Sequence, residues 1–240
     1  MPALPTGLSF LNASDNPFIL FPALPAQIDT LHVINTGFTS LPSPLPSTIT
    51  SLSFGNPGFI VPPVLPAGLL QLVIYESDLS VLPLFPSTLE VIDLRRNHLI
   101  TTVPQLPTGL FLFSSIDNDG LQTLPPIPST VRRLYATMGS FTSIPELPDT
   151  LDFCYMDNNP LLTCLPKLTK IGYFSFQNTA VNCIPNYGQV TQSIPPLSSL
   201  PVCDIFNSNA CDFYLNIAGK VYADNNSNCI DEPGESVSNP

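Results

Sequence analysis

The chain has 240 residues, with 29 prolines, 12 glycines and a formal net charge of −11. Proline removes a backbone donor and clashes with the preceding helical turn, so this content excludes long helices. The abundance of leucine excludes a disordered proline-rich tail, which would lack apolar surface to bury. The acidic balance argues against a nucleic-acid partner, because phosphate contacts are made largely by lysine and arginine.

The mean hydropathy of +0.26 raises the question of a membrane span. The most apolar stretch, residues 58–75, contains three prolines and a glutamine, whereas a spanning helix needs about 20 continuous apolar residues. We therefore expect no membrane span. The opening residues 1–5 have neither a basic start nor an apolar core, so we expect the leader of an exported protein to lie outside this sequence.

Prolines recur every 19 to 21 residues in two interleaved classes. The first class is Pro5, Pro25, Pro46, Pro66, Pro86, Pro107, Pro128 and Pro148, and the second is Pro22, Pro42, Pro62, Pro83, Pro104, Pro125, Pro145, Pro166 and Pro185. Between them runs the pattern L-x-x-L-x-L-x-x-N-x-L, which is clear in the copy with Leu89, Ile92, Leu94 and Asn97. Nine copies span residues 4–185. A repeat of about this length is typical of a solenoid, in which each unit buries its apolar face against its neighbours.

We predict a β-rich solenoid, a curved stack with one short parallel strand per coil of about 20 residues and a polyproline-like convex side. Alternate side chains of a strand point the same way, so the repeated leucines face inward, and equivalent strands lie about 4.8 Å apart. The predicted strands are 8–13, 28–33, 49–54, 69–74, 89–94, 110–115, 131–136, 151–156 and 171–176. The leucines expected to be buried are Leu11, Leu31, Leu52, Leu72 and Leu134.

An asparagine follows many of the predicted strands. Its side chain can bond backbone groups of neighbouring coils where the chain turns away from the sheet. The asparagines in this place are Asn16, Asn97, Asn118 and Asn159, and those one residue early are Asn35, Asn56 and Asn178. We expect the turn to vary in the second group.

These repeats resemble the leucine-rich repeat family, in the short LPxLPxxL variant. Similar repeats occur in bacterial effectors of the YopM and IpaH type and in secreted surface proteins of Bacteroidetes. The resemblance covers residues 4–185 and implies the solenoid fold, which we assign to residues 1–185, while fold alone says little about function. Effector ubiquitin ligases carry a separate helical catalytic domain, and no segment of this chain matches one.

The repeat phase is lost after Pro185, so we expect residues 186–212 to form a C-terminal cap over the last coil. Residues 213–240 resemble the opening of an Sdr B-like (Cna-B-like) sandwich domain of surface adhesins. The resemblance implies the first strand, within 213–222, and the first loop of a truncated β-sandwich.

The loop of this last segment has the spacing of a calcium site, since a hard cation takes six to eight oxygen ligands. The candidate ligands are Asp224, Asn226, Asn228, the carbonyl of Ile230, Glu232 and Glu235. Asp231 replaces or joins Glu232 if the loop follows the adhesin pattern. Against the site, Cys229 stands where a glycine is expected, and the alternative is an acidic turn. No cofactor is expected in the repeats.

Six cysteines and two histidines are present, without a C-x-x-C pair, so a zinc site is not expected. Cys164 and Cys183 hold equivalent places in successive coils, within disulfide range, and Cys203 and Cys211 would close a short loop in the cap. Cys154 lies at an inward position and should be a buried free thiol. Disulfides indicate an oxidising compartment; the alternative is that these cysteines are small apolar fillers.

No catalytic arrangement stands out. The pairs Glu76 with Asp78 and Asp117 with Asp119 flank the turn after a strand, where solvated turn residues are common, and the two histidines lie in distant coils. The outward positions of the strands are more informative, because aromatic and arginine side chains are enriched at binding hot spots. The candidate binding residues are Arg132, Arg133, Tyr135, Phe153, Tyr155, Asp157 and Tyr173. Further outward residues are Asp152, Tyr75, Glu90, Asp93 and Arg95.

We therefore expect a non-catalytic module of a secreted or cell-surface bacterial protein that binds a protein or glycan on its concave sheet. The alternatives are a structural spacer that displays other domains, in which case strands simply favour aromatic residues, and an effector directed into host cells.

Overall fold

The computed structural model describes residues 3–204, 211, 221–222 and 237–238. Within them the chain forms a ten-stranded parallel sheet whose strands follow each other in sequence order. The strands are β1 Phe10–Asn12, β2 Thr30–Ile34, β3 Ser51–Gly55, β4 Gln71–Tyr75, β5 Val91–Arg95, β6 Leu112–Ile116, β7 Arg133–Thr137, β8 Thr150–Tyr155, β9 Lys170–Ser175 and β10 Gln189–Ile194. A 3-10 helix, Leu197–Ser199, follows β10. No helix in these residues is long and apolar enough to cross a membrane.

The predicted solenoid is confirmed, and the first nine strands begin within two residues of their predicted starts. Most strands start later than predicted because the first leucine of a copy belongs to a turn. Leu69 N–H donates to the Pro66 carbonyl at 3.1 Å, and Leu89 N–H donates to the Pro86 carbonyl at 3.3 Å. The proline class that precedes each strand therefore serves to turn the chain into the sheet.

The core is a column of apolar side chains in register along the stack. Leu31 pairs with Leu52, and Leu52 with Leu72, and all three are fully buried. Leu11 and Leu134 are buried as well, so all five predicted core leucines are confirmed. The leucine pattern predicts the wrong buried residue after Asn97. Leu99 is half exposed, whereas its neighbour Ile100 is fully buried.

The stack continues beyond Pro185 by at least one strand, although the repeat phase of the sequence is lost there. β10 pairs in parallel with β9, and Ile184 bridges Val202 in the following turn of chain. The leucine pattern disappears because β10 reads Gln-Val-Thr-Gln-Ser-Ile, but a parallel ladder needs only backbone donors and acceptors. The role of residues 186–212 as a cap stays a prediction.

Part of the C-terminal segment lies within the described residues. β11 Val221–Tyr222 pairs antiparallel with β12 Val237–Ser238, and β11 is the end of the strand predicted within 213–222. The six candidate calcium ligands from Asp224 to Glu235 lie outside the described residues, so the calcium site and the sandwich domain stay predictions.

A ladder of buried polar side chains joins successive coils at the turns that follow several of the strands. The Asn97 amide donates to the Ile74 carbonyl of the previous coil at 2.9 Å, and its Oδ1 accepts the Ser77 N–H at 3.1 Å. Asn118 repeats this one coil later, where its Oδ1 accepts the Asn97 N–H at 2.8 Å. The predicted role of the asparagines in bonding neighbouring coils is thus confirmed for Asn97, Asn118 and Asn159, whereas the Asn16 amide bonds carbonyls of its own coil.

Asn56 also belongs to this ladder, although the sequence places it one residue early. Its amide donates to the Phe38 carbonyl at 2.8 Å, and Thr36 donates to its Oδ1. Gly55, with φ of +141°, shortens the turn. A Cβ at that glycine would collide with the Tyr75 carbonyl, so only glycine allows this shortcut.

Two disulfides join the last coils, with a pairing different from the predicted one. Cys183 bonds Cys203 with a Cα–Cα distance of 5.0 Å, and Cys164 bonds Cys211 at 5.4 Å. The predicted pairs Cys164–Cys183 and Cys203–Cys211 are wrong because the stack continues. Cys203 follows Cys183 by 20 residues, which is one coil.

Cys154 is a buried free thiol, as predicted. Its burial raises the pKa of the thiol, and the negative charge of Asp157 raises it further. A thiol held in its neutral form is a poor nucleophile, so Cys154 belongs to the core.

Candidate functional site

The outward side chains of β6 to β9 form a grid on the concave face of the sheet. In one column Ser114 pairs with Tyr135, and Tyr135 with Tyr155. In the neighbouring column Arg133 pairs with Phe153, and Phe153 with Tyr173. The strand alternation predicted this face correctly, because residues two apart on a strand share one side.

Three tyrosine rings stack along this grid, and we call Tyr135, Tyr155 and Tyr173 the tyrosine ladder. The centroids of the first two rings lie 5.2 Å apart with an interplanar angle of 10°. Tyr155 and Tyr173 are also 5.2 Å apart, tilted by 35°. Tyr135 and Tyr155 therefore stack face to face, and Tyr173 packs against Tyr155 at a tilt.

The environment of the ladder keeps its central phenol neutral. Burial raises the pKa of Tyr155, and the neighbouring tyrosines and Asp157 raise it further. Within the described part of the chain, none of the three hydroxyl groups has a hydrogen-bond partner. The ladder thus offers a row of hydroxyl groups that can donate or accept.

Arg133 lies between two phenylalanine rings beside the ladder. Its guanidinium carbon is 5.3 Å from the centroid of Phe111 and 5.8 Å from that of Phe153. Both rings are over a third exposed, with values of 40% and 37%. Such cation–π contacts hold the guanidinium plane in place without using its N–H donors.

Two of the predicted binding residues are occupied within the protein. Arg132 donates to the Thr150 carbonyl at 2.9 Å. Asp157 Oδ1 accepts the Ser175 hydroxyl and the Gln177 N–H, both at 2.6 Å. These side chains hold neighbouring coils together, so they support the surface without forming its open part.

Sequence reasoning missed Phe111 and Ser114. The Ser114 hydroxyl is 2% exposed and has no hydrogen-bond partner, although it lies on the outward side of β6. The repeat itself could have identified both residues. Phe111 lies 21 positions before Arg132, and Ser114 lies 21 before Tyr135, which places them one coil earlier on the same face.

The earlier outward residues form ion pairs instead of an open site. Arg95 is 2.8 Å from Asp93, and Arg96 is 3.4 Å from Asp117 and 3.9 Å from Glu76. Arg95 and Asp93 lie two residues apart on β5, whereas Arg96 joins the turns of the two adjacent coils through Glu76 and Asp117.

One carboxylate pair lies beside a histidine at the edge of the sheet. Asp119 is 3.3 Å from His98, and with Asp117 these groups approach within 4.8 Å of one another. Arg96 already places a cation against Asp117, and all three groups are accessible to water. The His98–Asp119 and Arg96–Asp117 pairs account for the close approach of these three side chains.

The convex side carries the most exposed apolar side chains. Val64 is 82% exposed and Leu84 is 84% exposed. They line a shallow groove with the prolines of the two adjacent legs, including Pro63 and Pro83. No charged residue occurs in 57–70, so this surface offers apolar contact without polar groups that would orient a ligand.

Comparisons with known proteins bear on the fold. No protein-family model and no curated protein matches the sequence. The solved structure of YopM from Yersinia enterocolitica is 23% identical, with a TM-score of 0.57 over 80% of this chain and 51% of that one. A YopM structure from Yersinia pestis, described as a leucine-rich effector protein, is 19% identical, with a TM-score of 0.32 over 89% of this chain and 85% of that one.

This chain spans about half the length of the first YopM structure, and only that alignment bears on the fold. It agrees with the repeat, the parallel register and the near absence of helix in the described residues. The chain therefore has the fold of a leucine-rich repeat stack of the YopM kind.

Proposed function

We propose that this chain is a non-catalytic protein-binding module of a secreted or cell-surface bacterial protein, and that its ligand lies on the concave grid. The observation that carries the proposal is the tyrosine ladder beside Arg133. Its rings are prepositioned by stacking, so little side-chain entropy would be lost on binding. A continuous backbone ladder holds these strands in register.

The position of the aromatic rings favours binding over a pure spacer. Strands favour aromatic residues for packing alone, but packing does not require stacked tyrosine rings and an arginine against two exposed phenylalanine rings on the outward face of a sheet. Aromatic and arginine side chains of this kind are enriched at binding hot spots.

The two disulfides support export over action in a host cytosol. Cytosolic thiols are kept reduced, whereas disulfides persist in secreted and surface proteins. The effector alternative rests on the YopM-like fold, and a fold is shared by proteins of different function.

For the C-terminal segment we retain the proposal of a calcium loop that opens an adhesin-like domain, which added Ca²⁺ should protect from proteolysis.

The test is capture of binding partners by the immobilised chain with its intact disulfides, from the surface and secreted proteins that it would meet outside the cell. The probe variant is the double substitution Tyr135→Ser, Tyr155→Ser. The matched control is Val64→Ser, Leu84→Ser on the convex side. We expect the control to retain every partner that the probe variant loses. Equal retention by both variants would favour the spacer, and binding in a glycan array alone would replace protein by glycan as the ligand.

A further inference from the structure

Arg133 differs from the other arginines of the chain in its partners. Arg95 and Arg96 lie against carboxylates, and Arg132 donates to a backbone carbonyl. Arg133 contacts only aromatic rings within the described residues, with no oxygen acceptor. Its full set of N–H donors is therefore available, on a surface whose protein is otherwise acidic.

The two rings leave one geometry open to a ligand. Phe111 and Phe153 approach the guanidinium at 5.3 and 5.8 Å, so the N–H edge of the plane remains accessible. This edge is a planar fork that matches a carboxylate through two parallel hydrogen bonds. Because the stacking fixes the plane beforehand, the fork loses little freedom when a carboxylate binds.

The polar groups around Arg133 extend the same site. Tyr135 lies two residues further along β7 on the same face, about 7 Å away by the rise of a strand. Tyr155 pairs with Tyr135 in the next coil, and both side chains are partly exposed. A ligand held by Arg133 would therefore run beside tyrosine hydroxyl groups that can bond a peptide backbone.

The chemistry of the surface selects among anionic ligands. A net charge of −11 repels polyanions such as nucleic acids or sulfated polysaccharides. The faces that Tyr135 and Tyr155 turn to each other are closed to a sugar ring, because these two rings stack. An extended peptide needs neither an open ring face nor a broad positive field.

We propose that Arg133 anchors an Asp or Glu side chain of a peptide segment of the partner protein, which lies across β6 to β8 with its backbone along the tyrosine ladder. This inference rests on the proposed function and names the ligand chemistry of that site. The ladder hydroxyl groups bond the polar groups that flank the carboxylate.

The experiment pans a random 12-residue peptide display library on the disulfide-intact chain. We expect the recovered peptides to be enriched in Asp and Glu over Asn and Gln, and we expect Arg133→Gln to abolish this enrichment. For a synthetic recovered peptide, Arg133→Gln should weaken binding roughly 10- to 100-fold, the range for hydrogen bonds to charged groups. Replacing the peptide's Glu by Gln should cause the same loss, without a further loss when both changes are combined.

Two matched variants test whether binding depends on the planar N–H fork of Arg133, as opposed to its charge or to the stability of the fold. Arg133→Lys keeps the charge but lacks the planar fork, so it should lose most of the affinity. Arg96→Gln removes an exposed arginine that is already paired with Asp117 and should leave binding unchanged. If Arg133→Gln lowers the melting temperature, Arg133→Lys and the peptide's Glu→Gln change still decide the outcome.

Failure of this inference can be told from failure of the proposed function. Peptides without acidic enrichment, or enrichment that survives Arg133→Gln, would overturn the carboxylate anchor; the proposed function would stand if Tyr135→Ser, Tyr155→Ser still abolished binding. Binding of polygalacturonate instead of peptides would overturn the peptide assignment in favour of an acidic glycan. No binding to either probe would overturn both proposals.

Discussion

The concave and convex faces of this solenoid are built from the same repeat but differ in what they expose. The convex legs expose more apolar surface, with Leu84 at 84% against 37% for Phe153 on the concave face. The concave grid combines stacked rings and an arginine against two aromatic rings. The two faces therefore differ in the kind of side chain that they expose, and not only in exposed apolar area.

The difference follows from how each face is held together. On the concave side, the backbone donors and acceptors are used in the parallel ladder, so outward side chains are free to serve recognition. On the convex side, prolines lack the N–H donor, and the leg is held by the apolar residues that point inward. Its remaining apolar side chains stay exposed because nothing in the repeat requires them to be polar.

The largest expected effect concerns the C-terminal end, where two disulfides join the last coils. Removing the Cys164–Cys211 bond by serine substitution should lower the free energy of unfolding by about 4 kcal/mol, and removing Cys183–Cys203 by about 3 kcal/mol. The longer loop of 47 residues against 20 is the reason for this order. Denaturant unfolding in a Cys229→Ser background measures both.

Thiol titration of that Cys229→Ser background is the control. In the native, non-reduced protein we expect no accessible thiol, because Cys154 is fully buried and the other four cysteines are bonded. A free thiol at Cys183 or Cys203 in the folded state would contradict the pairing.

The next effect concerns the ladder of buried asparagine side chains that joins successive coils. Asn118→Ala removes an amide that donates to the Leu94 carbonyl at 3.0 Å and an Oδ1 that accepts the Asn97 N–H. Because these buried partners are left without a bond, we expect a loss of about 3 kcal/mol. Gln122→Ala, at an exposed position of the same coil, is the matched control and should cost less than about 0.5 kcal/mol. Equal losses in urea unfolding would mean that the ladder is not what joins the coils.

The comparison of the faces predicts opposite behaviour in binding. Tyr135→Ser, Tyr155→Ser should weaken a partner about 100-fold or more, as expected for two hot-spot residues, and should lower the melting temperature by only a few degrees. Val64→Ser, Leu84→Ser should change neither quantity much, because these side chains are over four-fifths exposed. Isothermal titration and thermal unfolding decide the comparison. Early unfolding of the tyrosine variant would show that the rings serve the core.

The smallest effect is a stabilisation at Gly139, where the ladder of buried asparagine side chains is interrupted. Gly139 holds the ladder position between Asn118 and Asn159, and the buried Asn159 Oδ1 has no partner. Gly139→Ser should supply a hydroxyl as Ser77 does for Asn97, raising stability by about 1 kcal/mol. A new Cβ would lie 3.2 Å from the Phe141 ring, so Gly139→Ala reports the steric cost alone. A serine variant no more stable than the alanine variant would contradict the missing bond.

The sequence by itself determined the coil, its period, the inward leucines and the outward identity of the aromatic residues. These follow from local rules, because strand alternation and a repeat of about 20 residues fix which side chains share a face. The same rules, applied one coil earlier, would have identified Phe111 and Ser114.

Only the tertiary structure decided the tenth strand, the disulfide pairing and the use of each polar side chain. β10 has no leucine signature, but it pairs with β9 through backbone bonds and packs Val190 against the core, and this additional coil brings Cys203 against Cys183. Asp157 is bound by the next coil, whereas Arg133 has no oxygen partner among the described residues. Such differences depend on distances between coils, which a one-dimensional pattern does not contain.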